Sequence, residues 1–419
     1  MRPTIALLLL VTIATLAPQR SLAEPVIAWI RQFGTPGSAQ FSGGQIAADE
    51  HGNFFVNGPL YGNLSGVSAG GSDAYVNKYD AAGQLVWDRH FGTPADDGSI
   101  ISADLNGNLY VGGSTGGDLA ATNAGLQDMY LRKYSSAGDV LWTRQQGTAL
   151  NDLGHGITAD LFGNVYLTGG TQGAIGAPNQ GFTDSVVLRY DASGNLVWTR
   201  QWGTAEREWA VAADTDQAGN IFALRYTQDQ VGVPSSYELR KLDPSGSLLW
   251  SHPFAFGHFD LTYNSLATDA DGNIYISAKA AFGRNGIFAK LSGEGQVLWS
   301  EDVSTRALSV DGAGNIYVSR GLEILKYNGS GAVLWTHQFA DNSTGNIDHL
   351  SADGLGNLFV SGVTTAGLGI PLVGQKDVWL ALVRDTVPEP SAVLLLAAGT
   401  TALLPSAARR RRVHSVIGK

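Results

Sequence analysis

The chain of 419 residues contains no cysteine, and charged residues make up only 15% of it. The absence of cysteine excludes a disulfide framework, so the fold must be stabilised by packing and hydrogen bonding. Hydrophobic residues reach 44%, which excludes a wholly disordered chain. Glycine is abundant, with 54 residues, as is typical of many tight turns between buried strands.

Basic residues are scarce in the body of the chain. Residues 24–386 contain 20 Lys and Arg against 36 Asp and Glu, a formal charge of about −16. Nucleic-acid binding depends on lysine and arginine contacts to phosphates. The charge balance therefore argues against nucleic acid, and we predict no nucleic-acid partner.

The first 23 residues read as an export signal. Arg2 provides the positive start, the run TIALLLLVTIATLA the apolar core, and SLA a small-residue cleavage site that ends at Ala23. The alternative is a membrane anchor, but the apolar run of 14 residues is shorter than the roughly 20 needed to span a bilayer. We predict cleavage after Ala23.

Two sequence elements recur seven times each. Seven tryptophan segments of the type VLWTRQQGT alternate with seven turns of the form D-x-x-G-N, whose Gly-Asn pairs lie 42 to 56 residues apart. Repeats of this length are typical of propeller blades or long solenoid units. In each unit, β-branched and aromatic runs bounded by Gly, Asn and Asp predict four short strands.

The first strand of each unit ends in a sequence such as IAAD, ISAD or LSAD, which places a small residue on one face. We predict that this strand is the innermost one, where copies crowd around a common axis. The fourth unit, VAADTDQAGN, is read as carrying two extra residues and a bulge.

The two ends of the repeat region are complementary. The last unit stops after DVWLALVRD without its tryptophan strand, whereas the first begins with an unpaired one, VIAWIRQFGT. We predict an all-β, seven-bladed propeller of four-stranded blades over residues 24–386, closed when the N-terminal strand completes the last blade. An open solenoid would need polar capping repeats, which the sequence lacks.

The pattern D-x-x-G-N-x-[YF]-[VIL], followed by DAYVNKYDAAGQLVW or its relatives, resembles the bacterial seven-bladed β-propeller repeat (SBBP-type) family. Units five and six depart from it, because they are shorter and lack the aspartate that begins the segment. The resemblance implies a fold and leaves the biochemical role open.

Candidate binding residues fall in the loops on the face opposite the uniform D-x-x-G-N turns. We predict that these loops vary in length from a couple of residues in blade 6 to more than ten in blades 1, 2, 3 and 7. Six polar residues in matching loops are candidates for an acidic rim: Asp96, Asp97, Asn151, Asp152, Glu206 and Glu208. Variable loops on a rigid scaffold are where ligand binding is expected. Ordinary solvated loops are the alternative for this set.

Signals for catalysis or metal binding are weak. His155, His258 and His349 lie near the starts of inner strands without metal-ligand spacing, and DADGN at Asp269 lacks the rest of a calcium loop. The tryptophans are interpreted as packing residues between blades. We predict no catalytic residue, cofactor or metal, and a binding or structural protein that contacts protein or polysaccharide. The alternative is a propeller enzyme, either a quinoprotein-like oxidoreductase or a polysaccharide-cleaving enzyme.

The C-terminal segment 387–419 combines three features. Val387, Pro388, Glu389 and Pro390 precede the apolar run 392–408, predicted as a transmembrane-like helix, and the basic cluster Arg409, Arg410, Arg411 and Arg412 follows it. Their order resembles the PEP-CTERM sorting signal. The resemblance implies a Gram-negative bacterium with extracellular polysaccharide, transient anchoring in the inner membrane, and cutting near the motif by an exosortase-type enzyme. The expected location is the cell envelope, the cell surface or the extracellular matrix.

Overall fold

The computed structural model describes residues 24–33, 44–61, 69–228, 234–254, 259–260, 266–280, 286–341, 344–373 and 376–385. In these ranges the chain forms 29 β-strands in seven antiparallel sheets and no α-helix. None of the described segments is therefore a helix that could cross a membrane. The predicted export signal, the sorting motif, the arginine cluster and the C-terminal helix lie outside the described residues.

The first three blades follow each other along the chain. Blade 1 consists of β2 (Gln45–Ala48), β3 (Phe54–Tyr61), β4 (Ser72–Tyr79) and β5 (Leu85–Phe91). Blade 2 consists of β6 (Asp97–Ala103), β7 (Leu109–Thr115), β8 (Asp128–Tyr134) and β9 (Val140–Gln146). Blade 3 consists of β10 (Asp152–Ala159), β11 (Val165–Thr171), β12 (Asp184–Tyr190) and β13 (Leu196–Trp202).

Blades 4 to 6 continue this order. Blade 4 consists of β14 (Arg207–Thr215), β15 (Ile221–Gln228), β16 (Pro234–Leu242) and β17 (Leu248–Phe254). Blade 5 consists of β18 (Phe259–Asp260), β19 (Leu266–Thr268), β20 (Ile274–Ala280), β21 (Ile287–Leu291) and β22 (Val297–Glu301). Blade 6 consists of β23 (Leu308–Val310), β24 (Ile316–Arg320), β25 (Glu323–Tyr327) and β26 (Val333–Gln338). The strands of blades 5 and 6 are short, in line with their departure from the repeat pattern.

Blade 7 joins the two ends of the described chain. Its strand order is β1 (Val26–Phe33), β29 (Asp377–Arg384), β28 (Asn357–Thr364) and β27 (Gly345–Ala352). The register runs from Val26 opposite Arg384 to Phe33 opposite Val378. Each inner strand contacts the next around the axis, and β27 contacts β2. The prediction of seven four-stranded blades closed by the N-terminal strand is confirmed, with the inner position of blade 5 divided between β18 and β19, which both pair with β20.

The hydrophobic core lies between neighbouring blades. One cluster, for example, joins Phe55, Val76 and Trp87 of blade 1 to Leu109 and Tyr130 of blade 2. At the point of closure, Phe54 of blade 1 stacks on Phe359 of blade 7, with ring centroids 4.5 Å apart. Because each sheet buries both faces against its neighbours, the ring is stabilised as a whole.

Tryptophans of the outermost strands also form hydrogen bonds across the blade boundaries. Five indole N–H groups donate to a backbone carbonyl in the hairpin turn between the third and fourth strands of the next blade, at 3.1–3.3 Å: Trp29 to Ala81, Trp87 to Ser136, Trp142 to Ala192, Trp198 to Pro244 and Trp250 to Gly293. The predicted packing role of the tryptophans between blades is confirmed.

Candidate binding face

The two faces of the ring differ in the length of their connections. In blade 2, the turns 104–108 and 135–139 lie on one face, and the loop 116–127 and the connection 147–151 lie on the other. We call these the turn face and the loop face, and the equivalent segments of every blade belong to them. The loop between the second and third strands has 12 residues in blades 2, 3 and 7, ten in blade 1 and two in blade 6. The predicted variation in loop length is confirmed for blades 2, 3, 6 and 7, and the loop of blade 1 is slightly shorter than predicted.

On the turn face, the D-x-x-G-N motif forms a closed turn. In blade 2 the carboxylate of Asp104 accepts hydrogen bonds from the backbone N–H groups of Asn106 and Asn108 and from the side chain of Asn108. Gly107 has φ 73°, a conformation that glycine adopts readily. In the DADGN sequence the carboxylate of Asp269 likewise accepts hydrogen bonds from the backbone N–H groups of Asp271 and Asn273. The motif is a structural turn.

Three of the six candidate acidic-rim residues are buried. Asp97, Asp152 and Glu208 are each 0% exposed. Each carboxylate accepts hydrogen bonds from the backbone N–H and the hydroxyl of a threonine four residues earlier: Thr93, Thr148 and Thr204. Burial raises the pKa of Asp152, and hydrogen bonds from Thr171 and Thr148 oppose that shift. These three carboxylates close the connections between blades, so for them both the acidic rim and its alternative, an ordinary solvated loop, are wrong.

The other three candidates lie closer to solvent. Asp96 is exposed, and its carboxylate accepts a hydrogen bond from the backbone N–H of Ser72 in blade 1, at 2.8 Å. Asn151 and Glu206 are half-buried. The side chain of Asn151 donates to that of Gln172, and the backbone carbonyl of Glu206 accepts from Phe182. Asp96 and Glu206 thus link a connection to the preceding blade, whereas the side chain of Asn151 contacts the loop of the blade that follows.

A glutamine of the outermost strand holds each of the long loops in blades 2, 3 and 7. In blade 2, the Gln145 side-chain carbonyl accepts hydrogen bonds from the backbone N–H groups of Leu119 and Ala120, at 2.8 and 3.0 Å. Its NH₂ group donates to Asp128, which is buried, at 3.0 Å. Asp128 also accepts from the backbone N–H of Ala124. The loop is thus fixed at two points.

The same glutamine–aspartate cradle recurs in two other blades. Gln201 contacts loop residue Ile175 and Asp184 in blade 3, and Gln32 contacts Leu368 and Asp377 in blade 7. The sequence signal for the cradle is W-x-R-Q, which occurs in these three tryptophan segments and not in those of the blades with shorter loops. Blade 1 has His90 at this position.

Exposed apolar side chains lie among the held loops. Leu126 and Phe182 occupy equivalent positions, two residues before the buried aspartates of blades 2 and 3, and Leu150 lies in the connection between these blades. The guanidinium carbon of Arg207 is 5.3 Å from the Phe182 ring centroid. This part of the loop face therefore combines apolar side chains with the polar group of Asp96, Asn151 and Glu206.

Two of the three candidate histidines are described, and burial keeps them neutral. Burial lowers the pKa of His155 to about 4, and burial together with the positive charge of Arg306 lowers that of His349 to about 3. Arg306 pairs with Asp348 at 2.7 Å. Among the described residues, no three His, Cys, Asp or Glu side chains are arranged to hold a metal ion. His258 lies outside the described residues.

The inner strand of blade 4 contains an acid where other blades have a small residue. In blade 4 the buried acid Glu208 lies eight positions before the turn aspartate Asp216, and in blade 3 Asp152 lies eight positions before Asp160. The inner strands of the two blades therefore have the same length, and the interpretation of two extra residues is wrong. The bulge at Ala210 and Ala212 recurs in blades 3 and 7. Asp214 accepts hydrogen bonds from Thr158 of blade 3 and Thr268 of blade 5. Burial raises the pKa of Asp214, and these bonds oppose the shift.

Comparison with sequence families gives one match to the repeat. The model of the SBBP beta-propeller repeat family matches residues 141–176, which run from β9 of blade 2 into the long loop of blade 3. The regulatory protein FlaEY of Caulobacter vibrioides is 27% identical over 157 residues, which are 33% of this chain and 16% of that protein. The chain thus matches less than a fifth of the length of this relative.

A solved structure with a TM-score above 0.5 shares the fold. A chain of the mitotic checkpoint complex has a TM-score of 0.52 and 10% identity, covering 92% of this chain and 99% of that one. The WD40 domain of Neurospora crassa Pan2 has a TM-score of 0.49 and 8% identity, covering 83% of this chain and 90% of that domain. At these identities the similarity concerns the fold alone.

Proposed function

We propose that the chain is an exported, surface-sorted β-propeller without catalytic activity, and that it binds protein or polysaccharide of the cell envelope or extracellular matrix through its loop face. The observation that carries the proposal is the glutamine–aspartate cradle of blades 2, 3 and 7. Loops that are already ordered lose little entropy on binding, which favours affinity.

The composition of the loop face supports a binding role. Leu126, Leu150 and Phe182 are exposed, and half-buried polar groups lie beside them. Binding surfaces commonly combine apolar and aromatic contacts with a few polar groups. Buried carboxylates that accept threonine hydrogen bonds, such as Asp152, are poorly placed to act on a substrate.

Export and sorting complete the proposal and rest on the two ends of the sequence. The N-terminal segment resembles a signal cleaved after Ala23, and residues 387–412 resemble a PEP-CTERM signal processed by an exosortase-type enzyme. In this proposal the apolar run 392–408 anchors the protein in the inner membrane until the chain is cut near Pro388 to Pro390.

A binding experiment with matched variants tests the role of the loop face. The full-length chain is screened against extracellular polysaccharide and envelope proteins, beside Leu126→Ser/Phe182→Ser on the loop face and Leu105→Ser/Phe162→Ser on the turn face. All four side chains are exposed, so the two double variants remove equivalent apolar surface. We expect about a tenfold or larger loss of affinity in the loop-face variant alone, since central apolar anchors dominate many interfaces. Equal affinities of both variants would contradict the proposal.

Sorting is tested in a Gram-negative host with an exosortase-type enzyme. The variant Pro388→Ala/Glu389→Ala/Pro390→Ala should accumulate uncut in the inner membrane, whereas the natural sequence should reach the cell surface without its tail. Mass spectrometry of the surface and membrane fractions identifies the two products. A surface form of identical mass in both strains would show that the motif is not a processing site.

A further inference from the structure

Both ends of the propeller leave the ring at the same place. Val26 at the start of β1 lies opposite Arg384 at the end of β29, at the turn-face edge of blade 7. Asp385 is then fixed there, because its backbone N–H donates to Gly356 in the blade 7 turn at 3.0 Å and its carboxylate pairs with the buried Lys326. The chain therefore continues towards residue 386 from the turn face.

The apolar run 392–408 begins only a few residues after this point. Residues 386–391 separate it from Asp385. Six residues span at most about 20 Å when fully extended. A bilayer that contains the run therefore lies within about 20 Å of the turn face of blade 7.

We infer that, while the run 392–408 is held in the membrane, the propeller presents its turn face to the lipid bilayer and its loop face to the surroundings. The inference rests on the proposed function, which makes the run a membrane anchor. It adds an orientation, in which the bilayer occupies the side of the ring that carries the D-x-x-G-N turns.

Exposed side chains of the turn face suit contact with the lipid interface. Leu105, Leu161, Phe162 and Leu355 project from the D-x-x-G-N turns of blades 2, 3 and 7 with exposed fractions of 43–66%. Apolar side chains of this kind are stabilised at the boundary of headgroups and acyl chains. The body of the protein is acidic, so zwitterionic lipid is a better match than anionic lipid.

The absence of cysteine makes the orientation measurable. A single introduced cysteine is the sole site for a thiol-reactive dye, and three blades offer exposed positions on both faces. The matched pairs are Leu105→Cys with Leu126→Cys, Phe162→Cys with Phe182→Cys, and Leu355→Cys with Val373→Cys. Each labelled full-length chain is reconstituted into phosphatidylcholine vesicles that contain an acceptor-labelled lipid, and energy transfer is measured on vesicle-bound protein.

We expect transfer from the turn-face dye to exceed that from the loop-face dye by about twofold or more in all three pairs, because strands of seven or eight residues separate the faces by roughly 25 Å. Equal or reversed transfer in vesicle-bound protein would overturn the orientation and leave the anchor intact. Failure of the chain to float with vesicles would instead contradict the anchor, and with it both proposals.

A charged residue introduced into the run 392–408 distinguishes membrane binding through this anchor from adhesion of the propeller surface to lipid. Leu395→Arg places a charge in its apolar part and is expected to abolish flotation. If this variant floats as before, the propeller surface binds lipid without the run, and the tether argument for the orientation fails.

Discussion

Gln145 illustrates how a single side chain fixes a long loop, because its amide group joins loop backbone on one side to a buried aspartate on the other. Its carbonyl oxygen accepts from Leu119, Ala120 and Ala121, and its NH₂ group donates to the Gly117 carbonyl and to Asp128. These groups are partly shielded from water, so the loss of one partner leaves several polar atoms without compensation. The loop depends on a residue 18 positions beyond its own end.

Replacement of this glutamine is expected to loosen the loop. Gln145→Leu should lower the free energy of unfolding by about 1–3 kcal/mol, the usual cost of leaving buried polar groups unpaired. Denaturant unfolding measures the loss, and hydrogen exchange at Leu119 and Ala120 should accelerate. Gln338→Leu is the control, since Gln338 occupies the same strand position in blade 6, where it is exposed and holds no long loop. An equal loss in both variants would contradict the cradle.

His349 makes stability depend on pH. Its pKa is about 3 in the folded protein, lowered by burial and by Arg306, against 6.5 for the ordinary side chain. Between these values the unfolded chain binds the proton and the folded chain does not, so stability decreases as pH falls below about 6.5. Asp348, in contact with Arg306, has a pKa raised by burial and contributes a slope of the opposite sign.

Removal of the imidazole of His349 isolates the contribution of this residue to the pH dependence of stability. His349→Ala should lose less stability than the natural protein between pH 6.5 and pH 4.5, with a difference of about 2 kcal/mol, since one pKa unit corresponds to about 1.4 kcal/mol. Urea unfolding at the two pH values measures both changes. Identical pH slopes for the two proteins would rule out a neutral, buried His349.

At the scale of the element, the outermost strands of five blades fasten their blade to the hairpin turn of the next. Trp142 and Arg144 donate to the carbonyls of Ala192 and Gly194, at 3.2 and 2.6 Å. Within the residues that the structure describes, the boundaries after blades 5 and 6 lack this tryptophan clamp. The indole N–H groups of Trp299 and Trp335 are buried without a hydrogen-bond partner in the described part of the chain. Lysines bridge these two boundaries instead, because Lys290 donates to the Gly329 carbonyl of blade 6 and Lys326 pairs with Asp385 at the end of blade 7.

A pair of identical substitutions tests the clamp. Trp142→Phe removes an indole hydrogen bond and should cost about 1 kcal/mol more of unfolding free energy than Trp299→Phe, whose indole N–H has no partner to lose. Both tryptophans are half-buried, so their apolar losses are comparable. Thermal or chemical unfolding of the two variants provides the comparison. A larger loss in Trp299→Phe would contradict the role assigned to the hydrogen bond.

Local elements of this fold are readable from the sequence, and contacts between blades are much less so. Asp104, Gly107 and Asn108 form their turn among themselves, so the motif alone predicts it. Asp214 depends on Thr158 and Thr268, which lie more than 50 positions away in two other blades. The burial of Asp97, Asp152 and Glu208 is intermediate in how well the sequence predicts it. A charged residue in a connection suggests exposure, but the repeated threonine four residues earlier is a local signal for the buried turn.

For the whole molecule, ring closure depends on one pairing between distant parts of the chain. β1 contributes hydrogen bonds to β29 in blade 7, and its Trp29 donates to Ala81 of blade 1. The strand therefore belongs to one blade and clamps the next. If it detached, blade 7 would expose an apolar face and an unpaired edge.

A disulfide across this pairing should stabilise the ring. Ile30 and Ala381 are directly opposite in the register, so Ile30→Cys with Ala381→Cys places two thiols at a suitable distance. Closing so long a loop should raise the free energy of unfolding by roughly 2–5 kcal/mol. Unfolding curves with and without reductant measure the gain on the same variant, and the reduced form is the control. An unchanged midpoint on oxidation would indicate that β1 contributes little to global stability.

The pairing of β1 with β29 also sets the order of events during biosynthesis. The ribosome makes Arg384 some 350 residues after Val26, so β1 waits without its partner until the six intervening blades have been produced. Contacts of such long sequence separation slow folding, and a waiting apolar strand is prone to aggregate. Until β29 has been made, the strand that closes the ring is therefore open to pairing with a wrong edge.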